Sequence, residues 1–200
     1  MLLYETFYVV GRTLFPLLLD FRITGARHVP RTGPVLLVSN HRSYTDPVVI
    51  AAACSRPVHY LGKTELFSNP LFARLITALG CIPIRRDGYA ANSIRQAVEL
   101  LRAGKIVCVF PEGGLTTPGQ LKPGVTIVAA QSRAPVVPVH LGGTQGMYYP
   151  DAYLLRARPI RVDVGKPILP EDLGGTSDRA AFQRRLMDAL RRHLVRGEVE

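Results

Sequence analysis

Strand-like segments, several of them continuous apolar runs, alternate with helix-like segments along most of the chain. The strand-like segments predict the following strands: FRITG (21–25), VLLVSN (35–40), VHYLGK (58–63), CIPIRR (81–86), IVCVFP (106–111), VVPVHL (136–141) and IRVDVG (160–165). Helices are predicted between them, after Asp46, Asn69, Ala90, Gly124 and Ser177. Strands that alternate with helices pair in parallel, and uninterrupted apolar strands are buried on both faces. The pattern therefore predicts an α/β fold, with a largely parallel sheet and helices on both faces.

The amino terminus has a different pattern. Apolar residues recur at intervals of about three and four over residues 1–21, and Glu5, Arg12 and Asp20 interrupt them. No uncharged stretch approaches the about 20 residues that a spanning helix needs, and neither a basic leader nor a small-residue cleavage site is present. We expect 1–21 to form an amphipathic helix that lies in the membrane interface, with packing on its own domain as the alternative. Residues 22–200 are expected to form one domain.

The charge balance narrows the class of partner. The 200 residues contain 25 Lys and Arg against 15 Asp and Glu, which gives a formal net charge of +10. This balance favours a partner that carries negative charge, such as nucleic acid, anionic lipid or a phosphorylated small molecule. Aromatic residues do not interleave with the basic ones as single-stranded nucleic-acid platforms require, so no nucleic-acid partner is expected. The C-terminal segment from Ser177 to Arg196 predicts a helix with a basic outer face, which fits simple packing or contact with anionic head groups.

The cysteines and the missing motifs exclude several classes of chemistry. Cys54, Cys81 and Cys108 form no C-x-x-C pair and have no His at ligand spacing, so we expect buried thiols, no metal site and a reducing cytoplasmic compartment. The chain also lacks a G-x-S-x-G elbow, a Walker A loop, a G-x-G-x-x-G fingerprint and an H-E-x-x-H helix. The sequence motifs typical of hydrolases and nucleotide-binding enzymes are therefore absent from the chain.

Polar side chains follow three of the predicted strands. His41 comes after VLLVSN, Arg85 and Arg86 come after CIPI, and Glu112 comes after IVCVF. Because ligands gather outside the carboxyl ends of strands in open α/β sheets, these loops can converge on one site. Asp46 follows His41 closely, and a His paired with an Asp suggests proton transfer to or from a bound substrate. The other histidines have no evident partner and are expected to be structural: His28, His59, His140 and His193.

The loop after the second predicted strand resembles the first motif of a known enzyme family. NHRSYTD, from Asn40 to Asp46, resembles the N-H-x-x-x-x-D motif of the glycerolipid acyltransferases, which include bacterial 1-acylglycerol-3-phosphate acyltransferase. Three later stretches resemble the next blocks of the family in the same order: GCIPIRR (80–86), VFPEGGLT (109–116) and VVPVHL (136–141). With LKPG (121–124), the match covers residues 35–143 and implies a glycerol-phosphate acyltransferase-like fold.

The resemblance implies a catalytic pair for transfer of an acyl group from a thioester to a hydroxyl. His41 would be the general base, because a neutral imidazole can remove the proton of the attacking hydroxyl. Asp46 would accept a hydrogen bond from the other ring nitrogen, fix the tautomer and stabilise the imidazolium. The acceptor hydroxyl then replaces the serine of a hydrolytic triad, and no acyl-enzyme is needed. The alternative role for Asp46, which precedes Pro47, is that of a helix N-cap.

The same blocks imply acceptor-binding residues, namely Asn40, Arg85, Arg86, Glu112, Gly113 and Lys122. Arg86, with Arg85 beside it, would bind a phosphate or another anionic head group, although a solvated pair at a strand end is the alternative. Glu112 would bond the polar part of the acceptor, orient the loop or merely end a strand. Gly113 would let a substrate approach the backbone closely, and Lys122 would add positive potential or remain a solvated surface charge.

The resemblance implies the reaction but leaves the acceptor open. We expect transfer from acyl-CoA or acyl-carrier protein to the free hydroxyl of a lysoglycerolipid, with 1-acyl-sn-glycerol-3-phosphate as acceptor, phosphatidic acid as product and no cofactor or metal. The family's usual Thr-Arg is replaced by Gly114 and Leu115, which removes one phosphate contact. Another lysophospholipid, a lyso-aminolipid or a non-catalytic lipid-binding scaffold are the alternatives. A peripheral, monotopic location at the cytoplasmic face of the cell membrane is expected, and the oligomeric state is not predicted.

Overall fold

The computed structural model describes most of the chain. It covers residues 6, 9, 13, 20–84, 90–113, 121–145, 148–149, 154–155, 159–175 and 177–194. The strands are β1 (Phe21–Thr24), β2 (Val35–Ser39), β3 (Val58–Lys63), β4 (Cys81–Ile84), β5 (Ile106–Val109), β6 (Val136–Gly142), β7 (Tyr148–Tyr149), β8 (Leu154–Leu155) and β9 (Ile160–Val164). The α-helices are α1 (Asp46–Ala53), α2 (Pro70–Ala78), α3 (Ala90–Arg102), α4 (Gly124–Ser132) and α5 (Arg179–Leu194). Shorter 3-10 turns are Ala26–His28, Thr64–Phe67 and Glu171–Leu173.

The main sheet has seven strands in the order β1-β9-β6-β2-β5-β3-β4. Every neighbouring pair is parallel except β6 with β9, which is antiparallel. In register, Leu37 of β2 lies beside Cys108 of β5 and Val137 of β6. The largely parallel α/β sheet predicted from the apolar runs is confirmed. The small β7–β8 hairpin was not predicted.

Strand β2 lies at the centre of two hydrophobic layers. All of its residues are buried, and because side chains alternate along a strand, Val35 and Leu37 face one side while Leu36 and Val38 face the other. The first pair packs in a cluster with α1, and the second pair packs in a cluster with α3, α4 and α5. The helices therefore cover both faces, and β2 delivers its following loop to a fixed place between them.

Helix α5 confirms the packing predicted for the C-terminal segment. It buries Phe182, Leu186, Leu190 and Leu194, which recur every fourth residue and so share one face. The arginines on the remaining surface of this helix are exposed to solvent.

The predicted N-terminal helix lies mostly outside the described residues. Thr6, Val9 and Thr13 are helical, and the Thr13 hydroxyl donates a hydrogen bond to the Val9 carbonyl over 2.8 Å. Membrane contact by residues 1–21 and the boundary at residue 22 stay predictions. Within the part of the chain that the structure describes, no helix combines the length and the apolar character needed to cross a bilayer.

The three cysteines are free thiols. Cys54 and Cys108 are buried as predicted, whereas Cys81 is only partly buried. Burial raises the pKa of Cys54 to about 12 and that of Cys81 to about 11. It also raises the pKa of Cys108 well above its usual range. Such thiols are poor nucleophiles at neutral pH.

Candidate active site

The carboxyl ends of the parallel strands place His41 and Asp46 side by side. His41 follows β2, and Asp46 is the first residue of α1. The His41 Nδ1 atom lies 2.8 Å from Asp46 Oδ2, and the Asp46 side chain is completely buried while that of His41 is 16% exposed. Because the partner of Nδ1 is a carboxylate oxygen, Nδ1 carries the proton and Nε2 of a neutral ring is the proton acceptor.

The Asp46 carboxylate also organises the loop that carries His41. Its Oδ2 atom accepts hydrogen bonds from the backbone N–H groups of Arg42, over 2.6 Å, and Ser43, over 2.9 Å. The N-cap position of α1 belongs to Thr45, and no side-chain hydrogen bond caps the helix. Asp46 therefore does not act as the N-cap that the sequence left as its alternative role. It holds the preceding turn and the imidazole on a single oxygen.

Glu112 reaches the same loop from β5. Its side chain is 1% exposed, and its Oε2 atom accepts a hydrogen bond from the His41 backbone N–H over 3.2 Å. Of the roles open to Glu112 from sequence, orientation of the His41 loop is the one this contact supports. The loops after β2 and β5 therefore meet, as their positions at one edge of the sheet predict.

Glu112 sits in a tight turn that also recruits Lys122. The Gly113 N–H donates to the Phe110 carbonyl over 3.1 Å, and Gly113 adopts a φ of 71°, which favours glycine. The Lys122 backbone N–H donates to the Pro111 carbonyl over 2.9 Å. The Lys122 side chain lies across Gly113, where a Cβ atom would come within 2.7 Å of Nζ. The exposed Lys122 thus places a positive charge beside the Glu112 turn.

Phe110 is a member of the site that the sequence did not reveal. Its ring stacks on the His41 imidazole, with centroids 4.1 Å apart and planes inclined by 19°. Tyr60 of β3 stacks beyond it at 6.4 Å, and the Tyr60 hydroxyl donates to the Pro47 carbonyl over 2.8 Å. The imidazole is therefore held in its plane by an aromatic face as well as by its hydrogen bond. The available signal was an aromatic residue directly before the Pro-Glu-Gly turn.

Asn40 fixes the loop to the other neighbouring strand. Its Nδ2 donates to the Leu141 carbonyl over 2.9 Å, and its Oδ1 accepts from the Leu141 N–H over 2.7 Å. The side chain is only 3% exposed. These contacts position the backbone of the His41 loop, and contact between Asn40 and an acceptor stays a prediction.

Several predicted acceptor-binding positions cannot be compared with the structure. Arg85 and Arg86 lie outside the described residues, as do Gly114 and Leu115 at the family's usual Thr-Arg. Head-group binding by the arginine pair stays a prediction. Among the described residues, no group of three or more His, Cys, Asp or Glu side chains is arranged to hold a metal ion.

The other described histidines bond to backbone carbonyls or lie half-buried in the fold. Nδ1 of His28 lies 2.8 Å from the Val164 carbonyl, and Nδ1 of His59 lies 3.2 Å from that of Ile106. Burial lowers the pKa of His59, and it lowers that of His140 together with the neighbouring positive charges. Histidines with such contacts and burial fit the structural role expected from sequence.

Comparison with known proteins identifies the family. The model of the acyltransferase family matches residues 20–142, which include every site residue described here. A chloroplastic 1-acyl-sn-glycerol-3-phosphate acyltransferase of Brassica napus is 30% identical over 154 residues, covering 73% of this chain and 44% of the relative. The 1-acyl-sn-glycerol-3-phosphate acyltransferase of Bacillus subtilis is 24% identical, covering 76% of this chain and 75% of the relative. The chain thus spans less than half the length of the plant relative.

A solved structure has the same fold. The crystal structure of the 1-acyl-sn-glycerophosphate acyltransferase PlsC from Thermotoga maritima superimposes with a TM-score of 0.74 at 20% identity, covering 98% of this chain and 81% of that one. With the family model matched over more than half of its 200 residues, this chain belongs to the acyltransferase family.

Proposed function

We propose that this protein moves a fatty acyl group from acyl-CoA or acyl-carrier protein to the free hydroxyl of 1-acyl-sn-glycerol-3-phosphate, which gives phosphatidic acid. The observation that carries the proposal is the hydrogen-bonded pair of His41 and buried Asp46, with Nε2 of His41 available as a base. The named activity of the relatives supports the same reaction. We further propose that the enzyme works as a peripheral protein at the cytoplasmic face of the membrane.

The reaction follows from the geometry of the pair. Nε2 of His41 takes the proton of the acceptor hydroxyl as its oxygen attacks the thioester carbonyl. The imidazolium that forms is stabilised by the Asp46 carboxylate across the 2.8 Å hydrogen bond. The C–S bond then breaks, and the imidazolium returns its proton to the departing thiolate. The products are the new ester and the free thiol, and the histidine ends as a neutral base.

The acceptor is bound by charge in this proposal. Lys122 lies beside the Glu112 turn, and the sequence places Arg85 and Arg86 after β4, whose carboxyl end is at the same edge of the sheet. Positive side chains there would bind a phosphate through charge-assisted hydrogen bonds. Glu112 serves the reaction by holding the His41 loop.

Release of the free thiol tests the reaction directly. The purified 200-residue chain is given palmitoyl-CoA or palmitoyl-acyl-carrier protein, with and without 1-acyl-sn-glycerol-3-phosphate, and the lipid product is identified by mass spectrometry. We expect acceptor-dependent thiol release, and a His41→Ala variant should lose roughly a hundred- to ten-thousandfold in turnover while it remains folded. Turnover like that of the wild type in this variant would refute the mechanism.

A panel of acceptors tests the identity of the acceptor lipid. If thiol is released with a lysophospholipid of larger head group or with a lyso-aminolipid, but not with 1-acyl-sn-glycerol-3-phosphate, the proposed acceptor changes to that lipid. If no thiol is released with any acceptor and either donor, a lipid-binding scaffold is favoured.

A further inference from the structure

Helix α2 exposes an apolar surface that none of the described residues covers. None of its residues is buried, and Leu71, Phe72 and Leu75 are 79%, 44% and 52% exposed. Leu75 lies four residues after Leu71 and three residues after Phe72, so the three side chains fall on one broad face of the helix. We call Leu71, Phe72 and Leu75, with the exposed Arg74 beside them, the α2 surface.

The helix that carries this surface is well formed. Asn69 is its N-cap, and the Asn69 Oδ1 atom accepts hydrogen bonds from the backbone N–H groups of Leu71, over 3.0 Å, and Phe72, over 3.1 Å. Pro70 follows at the first helical position, where its fixed φ suits a helix. The helix also contacts β4 and the turn Thr64–Phe67. The fold therefore holds these apolar side chains in water, where each costs free energy unless a partner covers it.

The α2 surface lies at the same edge of the sheet as the active site. Strands β3 and β2 run in parallel with β5 between them, so the start of α2, which follows β3, is at the edge where His41 follows β2. Tyr44, in the His41 loop, is another large side chain exposed at this edge, by 53%. The start of α2 and the His41 loop therefore present exposed apolar or aromatic side chains at the sheet edge where, in the proposed function, a lipid acceptor would enter.

The small area and the positive charge of the α2 surface favour a lipid bilayer as its partner. A stable protein interface buries about 800 Å² on each partner, which three side chains of one short helix do not supply. Insertion of a few apolar side chains between lipid head groups is enough for peripheral membrane contact when basic residues add attraction to anionic lipid. Arg74 lies among the apolar residues, and the chain carries a formal net charge of +10.

We propose that the α2 surface inserts into the interface of an anionic bilayer and holds the mouth of the His41 site against the lipid that supplies the acceptor. The inference rests on the proposed function and adds a membrane contact separate from the predicted helix at 1–21. It explains why α2 keeps large apolar side chains in water.

Binding of the 200-residue chain to vesicles tests whether the α2 surface contacts lipid. Vesicles of 70% phosphatidylcholine and 30% phosphatidylglycerol are sedimented with the wild type, with the double variant Leu71→Ser and Leu75→Ser, and with the matched control Leu71→Met and Leu75→Met. The serine variant should bind roughly tenfold more weakly, whereas the methionine variant keeps its apolar area and should bind like the wild type. Arg74→Ala should weaken binding to these vesicles but not to pure phosphatidylcholine. Because the positions are exposed, the serine variant should unfold at the wild-type temperature.

Two acceptor forms connect binding to catalysis. With 1-acyl-sn-glycerol-3-phosphate carried in the vesicles, kcat/KM of the serine variant should fall by the same factor as binding. With a short-chain acceptor dissolved as monomers, the kcat/KM of the serine variant should equal that of the wild type. Equal vesicle binding by the serine and methionine variants would overturn the proposal. It would also be overturned if, in sedimentation without vesicles, the wild type were a dimer and the serine variant a monomer while vesicle binding stayed unchanged. That outcome would assign the α2 surface to contact with a second copy of the chain. An absence of thiol release with every acceptor refutes the proposed function alone, because sedimentation still reports on the α2 surface.

Discussion

Replacement of Asp46 by Asn separates the charge of this side chain from its geometry. Three donors converge on Asp46 Oδ2: the His41 imidazole at 2.8 Å and the backbone N–H groups of Arg42 and Ser43 at 2.6 and 2.9 Å. An amide has one oxygen and one nitrogen, and the two backbone donors select the oxygen for this position. The imidazole then keeps its hydrogen bond and its tautomer in Asp46→Asn. The negative charge is lost, and the amide nitrogen replaces Oδ1, which is buried without a hydrogen-bond partner.

The size of the effect follows from that charge. Two unit charges about 4 Å apart interact by about 4 kcal/mol at an effective dielectric constant of 20, and solvent at the partly exposed His41 reduces this. We therefore expect a loss of about 3 kcal/mol of transition-state stabilisation, which is roughly a hundredfold in kcat. Folding stability should fall by about 1–3 kcal/mol, because the hydrogen bonds to Oδ2 have neutral counterparts but the amide nitrogen takes the place of Oδ1, which is buried without a hydrogen-bond partner.

Asp46→Ala is the informative comparison. It removes the shared acceptor and leaves two buried N–H groups unpaired, which costs about 1–3 kcal/mol for each group. We expect this variant to unfold at clearly lower urea concentration and to have the low kcat of His41→Ala. Thiol release at saturating donor and acceptor gives kcat, and urea unfolding gives stability. If Asp46→Asn is as slow and as unstable as Asp46→Ala, the amide has turned its nitrogen to the imidazole, the two backbone N–H groups have lost their acceptor, and the reasoning is refuted.

Three further predictions concern the ring stacked on His41, the turn at Gly113 and the partly buried thiol of Cys81. Phe110→Leu removes the stacked ring and should lower kcat about two- to tenfold at unchanged KM, whereas Phe110→Tyr should keep wild-type kinetics, and equal kinetics of both variants would contradict a role for stacking. Gly113→Ala places a side chain at a φ of 71° and should lower the free energy of unfolding by about 1–2 kcal/mol, although the flexible end of Lys122 can move aside. Gly124→Ala, which meets open space, is the control and should not destabilise. Because burial raises the pKa of Cys81 from 9.0 to about 11, less thiolate is present at pH 8, and alkylation there should be about a hundredfold slower in the native than in the urea-unfolded chain. Similar rates in the two states, measured by mass spectrometry of the modified peptide, would contradict this.

Much of the fold could be predicted because the apolar pattern is strong. Each predicted strand became a strand of the main sheet. The central strand β2 is a continuous apolar run because it is buried between two helical layers, whereas β9 alternates buried and exposed residues. The hairpin of Tyr148–Tyr149 with Leu154–Leu155 was missed because two-residue strands carry no periodic signal.

The sequence predicted only those site residues that are close together in the chain or that directly follow a predicted strand. His41 and Asp46 are close in sequence, and Glu112 follows a strand, so a parallel sheet brings them together. Phe110 was missed because an aromatic residue after an apolar strand cannot be distinguished from core. The bonds of Asn40 to Leu141 depend on which strands are neighbours, and strand order cannot be read from local sequence.

The paired hydrogen bonds between Asn40 and Leu141 have a consequence for the order of folding. They join residues 101 positions apart, and β2, which leads into Asn40, pairs with β5 and β6, both far later in the chain. Contacts of such long sequence separation form slowly, because a large loop must close first. A nascent chain that has emerged only through α4 already contains His41, Asp46 and Glu112, but it lacks the strand that anchors their loop. The loop that carries His41 and Asp46 therefore reaches its final geometry only after β6 has entered the sheet.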